Sequence, residues 1–114
     1  RNGNKSLADL LQAHVRNVQE PQFLVLYSVG TAEDRGTPYN ITNCFDDLKY
    51  LRITRTKQRA VSVIDSLWAL RFIDLRDEGN RKNMYITDPG AKALETLVLD
   101  GRFQPKKSVF LEVS

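Results

Sequence analysis

The sequence predicts a mainly α, α+β fold in a single domain. Two observations carry that prediction. Apolar residues recur at spacings of three and four over most of the chain, which marks one buried face per helix. Near residue 73 the period drops to two, and it recovers after residue 87, which marks a β-hairpin set between helices. The length of 114 residues suits one hydrophobic core. With 41% hydrophobic and 27% charged residues, the composition is that of a folded globular chain.

Residues 1–5 are polar and are expected to fray. Ser6 is read as an N-cap, with Asp9 in the first turn where its charge suits the helix N-terminus. Leu7, Leu10, Leu11, His14, Val15 and Val18 form one face of the first helix. That helix is expected to stop before Pro21, because the residue preceding a proline disfavours the helical region. Pro21 suits the first turn of a second helix. Phe23, Leu24, Val25, Leu26, Tyr27 and Val29 are apolar nearly all round, so periodicity alone leaves helix and buried strand open. Pro21 at the start and Gly30 as a stop favour the helix, with residues 31–40 as a loop.

Ile41 is assigned to a short strand and Thr42 to the cap of a third helix over residues 43–50. Its apolar positions are Cys44, Phe45 and Leu48, followed by Leu51. Residues 51–53 make a tight connection, and Thr54 or Thr56 caps a fourth helix running to about residue 70. Its inward face is read as Val61, Ile64, Leu67 and Trp68, with Ala60 nearby. Its outward face is read as Arg55, Gln58, Arg59, Ser62 and Ser66. Ile73 and Leu75, then Met84 and Ile86, alternate with polar residues around a polar turn at 77–82. Thr87 caps a last helix with Ala91, Leu94, Leu97 and Val98 inward, and Gly101 ends it. Residues 108–113 are β-prone. The organisation is thus a frayed start (1–5), a domain (6–101) and a C-terminal tail (102–114) that serves as a strand or partner-binding segment.

The order of helices with a trailing hairpin is that of a winged helix-turn-helix, flanked by further helices. The charges agree with that geometry. The net charge is only +3, yet residues 49–82 hold nine basic residues against four acidic ones and the remainder is slightly negative. Concentrated positive charge is the footprint of a polyanion partner. The third and fourth helices form the helix-turn-helix, and the fourth would enter the DNA major groove by its N-terminal part. The candidate DNA-binding residues are Arg52, Arg55, Thr56, Lys57, Gln58, Arg59 and Ser62, with Arg76, Arg81 and Lys82 on the wing. Gln58 suits adenine and Arg55 or Arg59 guanine, while Arg52 at the turn suits a phosphate.

The run 66–90, SLWALRFIDLRDEGNRKNMYITDPG, resembles the MarR-type winged helix. Leu67 matches the family's leucine, Phe72 and Ile73 its apolar pair, Asn80, Arg81 and Lys82 its wing motif, and residues 86–90 its Leu-Thr-x-x-Gly ending. The resemblance spans roughly residues 20–100 and implies a transcriptional regulator that binds operator DNA as a homodimer. It departs from the family in three places. Arg71 replaces the glycine after the recognition helix, and Asn80 replaces the wing aspartate, so a hydrogen bond is expected where the family has a salt bridge. The last helix is too short to be the family's long dimerisation helix. Self-association is expected instead through residues 6–18 and the C-terminal segment.

Other chemistry finds little footing in these residues. They hold no phosphate-binding glycine loop, nucleophile elbow or histidine motif, so the reading is a non-enzyme without a cofactor. Asp46 and Asp47 diverge by about 100° on a helix and do not converge on one site. Cys44 is alone and flanked by acids, which favours an inert thiol and, with no signal-peptide pattern, a cytoplasmic setting. No apolar run reaches the ~18–20 residues a membrane span needs. The alternative function is a winged helix serving as a protein-interaction module in a larger assembly, with residues 108–113 added as a strand to a partner's sheet edge.

Overall fold

The computed structural model describes residues 7–113. The frayed start and the Ser6 cap lie outside the described residues, as do the side chains of Leu7, Leu10 and Leu11. Six helices and one hairpin follow in the order α1 (Leu7–Arg16), α2 (Glu20–Arg35), α3 (Ile41–Tyr50), α4 (Lys57–Ala69), β1 (Ile73–Glu78), β2 (Arg81–Ile86), α5 (Asp88–Asp100) and α6 (Val109–Val113). This is an α+β winged helix, with α3 and α4 as the helix-turn-helix and β1–β2 as the wing.

The apolar run that begins at Phe23 is a helix, and it is the centre of the molecule. Phe23, Leu24, Val25, Leu26, Val29 and Ala32 are all buried, because α2 packs against α3, α4, α5 and β2. Gly30 does not end it. The helix continues to Arg35 and stops at Gly36, whose φ of 68° is the left-handed cap. Gly30 is small for a different reason: a Cβ there would lie 2.8 Å from Leu94 Cδ2 and 3.3 Å from Ile86 Cδ1. Tertiary crowding, not chain termination, explains this glycine.

Ile41 and Thr42 are the first residues of α3, not a strand and a cap. The cap is Asn40, whose Oδ1 accepts from the Asn43 amide at 2.9 Å while Asn43 Oδ1 accepts from the Asn40 amide at 3.1 Å. The strand expectation reduces to a single bridge between Asn40 and Asn83. In α4 the buried face is Ala60, Val63, Ile64 and Leu67. Val61 is only half-buried and Trp68 is 43% exposed, so neither is the core anchor expected of it. On α5 the inward residues are Gly90, Ala93 and Leu97, with Leu94 half-buried, while Ala91 and Val98 face outward.

The hairpin pairs Ile73 with Ile86 and Glu78 with Arg81 across a two-residue turn. Gly79 supplies the positive φ of 69° which that turn requires. The Thr-x-x-Gly stretch that follows has a clear physical role. Thr87 Oγ1 accepts from the Gly90 amide at 3.0 Å and donates to the Arg71 carbonyl at 2.6 Å, so it caps α5 and ties it to the end of α4. Any Cβ on Gly90 would fall 1.9 Å from the Phe72 carbonyl oxygen.

The tail also folds back. Residues 109–113 are helical, which corrects the β-strand expectation. The reason is a distant carboxylate: Asp47 on α3 accepts from the amides of Val109 (2.9 Å) and Phe110 (3.3 Å) and from the Ser108 hydroxyl. That satisfies donors a helix start otherwise leaves open. Arg102 closes the other end, donating to the carbonyls of Val15, Arg16 and Val18 at 2.9–3.1 Å where α1 finishes. His14 sits on the outside of α1, with its ring edge toward Phe72 at 6.3 Å.

Candidate nucleic-acid interface

The turn between α3 and α4 is built by backbone geometry. Leu51 caps α3, and Arg52 adopts the left-handed conformation with φ 62°. The amides of Arg52 and Ile53 donate back to the carbonyls of Lys49 (3.0 Å) and Leu48 (2.9 Å), which is a Schellman ending. Thr54 is buried and its hydroxyl donates to the Thr56 carbonyl at 3.2 Å. Thr56 then caps α4 by accepting from the Arg59 amide at 3.2 Å. The result is an abrupt turn that leaves Arg52 and Arg55 outward and opens the first turn of α4 to solvent.

Arg52, Arg55, Thr56, Lys57, Gln58, Arg59, Ser62, Arg76, Arg81 and Lys82 are all exposed. The structure sorts them into groups. Arg52 and Arg55 line one groove with Lys49 and Thr54. Lys57 lines a second groove with the wing-tip residues Asn80, Arg81 and Lys82 and the start of α3. Arg59 and Ser62 line a third groove with Gln19 and Gln22 from the start of α2. Two of these grooves are bordered by the first two turns of α4 and the third by the turn that precedes it, and each holds at least one cation. Thr56 is committed to the cap.

Arg76 stands apart from these groups. Its guanidinium lies over the Tyr85 ring at 4.3 Å and pairs with Asp74 at 3.3 Å. Among the described residues the ion pairs are that one and Arg35–Glu112, so the other candidate cations carry uncompensated charge. The α4 N-terminus adds partial positive charge and free amides at the same place. The wing's polar link runs from Asn83 and Tyr85 to Glu78, with Asn83 Nδ2 donating at 2.6 Å. Asn80, where the expectation placed a hydrogen bond, instead lines the groove beside Lys57.

Lys49 is a basic residue of this surface that sequence reasoning counted but did not assign. Its position in the last turn of α3, three residues before Arg52, was the available signal. Tyr39 is buried, and its hydroxyl donates to Asp47; burial first, then the nearby Cys44 and Asp47, push its pKa up. A buried Tyr39 cannot reach a phosphate, whereas Tyr50 is 70% exposed. Cys44 is buried, and burial chiefly, with Asp47, raises its thiol above the ordinary range, which makes a poor nucleophile. Asp46 is exposed and Asp47 buried, so they face different surroundings. Among the described residues, no helix is long and apolar enough to cross a membrane, and no cluster of three metal-ligating side chains occurs.

No family model and no curated protein matches this sequence. Solved structures do resemble it. AF1382 from Archaeoglobus fulgidus superposes with a TM-score of 0.61 at 14% identity, covering 78% of this chain and 94% of that one. TubR, a protein of type III plasmid segregation, gives 0.60 at 14% identity, covering 93% of this chain and 97% of that one. MepR, a transcription regulator of the Staphylococcus aureus multidrug efflux pump MepA, gives 0.59 at 15% identity, covering 82% of this chain and 70% of that one. At such identities the likeness is one of fold, and the fold that this chain shares with them is the winged helix.

Proposed function

We propose that this chain is a MarR-like, sequence-specific regulator of transcription that binds double-stranded DNA, acting in the cytoplasm as a homodimer. One observation carries the reading: the cationic, exposed start of α4 shares a groove with the basic tip of the wing. In this reading α4 enters the major groove by its first turns, and Arg81 and Lys82 meet the flanking backbone. Gln58, Arg59 and Ser62 face base edges, and Arg52 and Arg55 the phosphate backbone. The likeness to the transcription regulator MepR and the plasmid-segregation protein TubR is in keeping with such a role. Self-association uses residues 6–18 and the C-terminal segment, and Val98 and the 81% exposed Leu99 offer further apolar surface at the end of α5 that precedes that segment.

The test is selection of bound duplexes from a random pool. An enriched palindrome supports sequence-specific binding by a two-fold dimer, because half-site symmetry mirrors protein symmetry. On the selected site, Arg59→Ala should weaken binding by about 1–3 kcal/mol if it reads a base, and Arg55→Ala should weaken it through a lost phosphate contact. Arg76→Ala should do less, since Asp74 and Tyr85 already engage that side chain. Unchanged affinity in the first two variants, with the fold intact, would remove α4 as the recognition helix.

A further inference from the structure

Lys49, Arg52, Thr54 and Arg55 surround one concavity at the turn of the helix-turn-helix. It collects three cations from two sources: Lys49 from the last turn of α3, and Arg52 and Arg55 from the loop that follows. Neither of the ion pairs among the described residues involves any of them. Lys49 Nζ rests over the Phe45 ring at 5.3 Å, which leaves its donors free for another group. Like charges gathered around one concavity repel, and an anion held between them relieves that repulsion. The backbone turn is what brings Arg52 here. A non-glycine residue at φ 62° is strained, and glycine would hold that backbone freely. The strained arginine lines this concavity.

Resting on the DNA-binding reading, we infer that this concavity is a clamp for a single backbone phosphate, with Lys49, Arg52 and Arg55 as its donors. It fixes register on the duplex without reading sequence. Lys49 thereby joins the binding surface, and the left-handed turn is what sets Arg52 beside it. Because α3 ends and α4 begins here, a phosphate held at this point fixes the angle at which α4 enters the groove. The competing explanation is that Lys49 and Arg52 merely complement the negative end of α3. That explanation leaves Arg55, which belongs to neither helix, without a part.

The experiment measures anisotropy of the full chain with a fluorescent duplex of about 24 base pairs across a salt series. A second duplex of unrelated sequence repeats it. Three variants are compared with the parent: Lys49→Ala, Arg52→Gly and Arg71→Gly. Glycine at 52 keeps the left-handed turn while removing the charge, so the fold survives the test. Arg71→Gly makes the same backbone change at the end of α4, away from the concavity, and is the control. The clamp predicts several-fold weaker binding to both duplexes for Lys49→Ala and Arg52→Gly, with the slope of log affinity on log salt reduced by about 1 each. Arg71→Gly should keep both. Parental slope in the two clamp variants, or loss confined to one duplex, overturns the clamp while leaving the DNA-binding reading standing. A parent chain that shows no salt-dependent duplex binding overturns both.

Discussion

Arg52 and Arg71 hold equivalent places at the ends of successive helices, α3 and α4, and their surroundings differ. Each adopts the left-handed conformation, at φ 62° and 64°. The two endings share one pattern of backbone hydrogen bonds: the amides of Arg52 and Ile53 donate to the carbonyls of Lys49 and Leu48, and those of Arg71 and Phe72 to the carbonyls of Trp68 and Leu67. The guanidinium of Arg71 lies over the Trp68 ring at 4.5 Å, which explains why an exposed tryptophan is tolerated there. Arg52 lines a concavity whose other basic members, Lys49 and Arg55, repel it. The comparison teaches that one backbone solution can serve two ends: at 71 the arginine's side chain is used within the fold, and at 52 it faces outward.

The two endings are also fastened differently. The end of α4 is held by backbone contact with the start of α5, through Thr87 and Gly90. The end of α3 is held by a side chain, Asp47, on which the tail is seated. The sharpest way to separate them is Gly90→Ala. With the Phe72 oxygen 1.9 Å from the added carbon, it should cost about 3 kcal/mol or more in urea unfolding. Asp47→Ala should cost less, about 2–3 kcal/mol, by leaving the Tyr39 and Ser108 hydroxyls and two amides without their acceptor. Hydrogen exchange at Val109 and Phe110 should then quicken while the wing amides stay protected. Should Asp47→Ala prove the more damaging, the ranking of backbone over side-chain fastening is wrong.

The arginines themselves come next. Arg52→Gly relieves the left-handed strain and loses no partner within the fold, so it should stabilise the chain by about 0.5–1 kcal/mol. Arg71→Gly gains the same relief but loses about 0.5–1 kcal/mol of cation–π contact, leaving stability nearly unchanged. Equal thermal shifts in the two variants would erase the distinction drawn between these ends. The smallest effect concerns the wing beyond the α4 end. Hydrogen bonds from Asn83 and Tyr85, aided by Arg76, hold the Glu78 carboxyl below its usual range. A lowered folded-state pKa stabilises above the ordinary glutamate range, and that contribution is lost as pH falls through the lowered value. An NMR titration should show Glu78 titrating on the acid side of the ordinary glutamate range, and Asn83→Ala should raise its pKa.

Much of this was written in short-range pattern. The hairpin shows as alternation from Ile73 to Ile86, and the Thr87–Gly90 ending has a local hydrogen bond to account for it. The basic residues clustered at the start of α4 needed only a count. Even the paired endings leave a trace, since residues 48–53 read LKYLRI and residues 67–72 read LWALRF. The Leu-x-x-Leu-Arg-apolar repetition is a legible sign of matching caps, obscured because arginine is not the residue a left-handed cap usually carries. The Asn40–Asn43 reciprocal cap was readable too, but Thr42 offered a competing cap two residues on.

Sequence by itself determined roughly where the first five helices and the hairpin lie and where positive charge gathers, because those depend on neighbours within one turn or one pleat. Tertiary structure decided the rest through partners far along the chain. Leu94 and Ile86 turn Gly30 from a stop into a close-packed helix residue. Arg71 covers Trp68 and relieves it of a core position. Asp47 makes a helix of a β-prone tail some sixty residues away, because its buried carboxylate accepts the very amides that a helix start leaves unpaired. Hydrophobic period records which face is apolar, but it carries no information about which distant group will meet that face or cap that end.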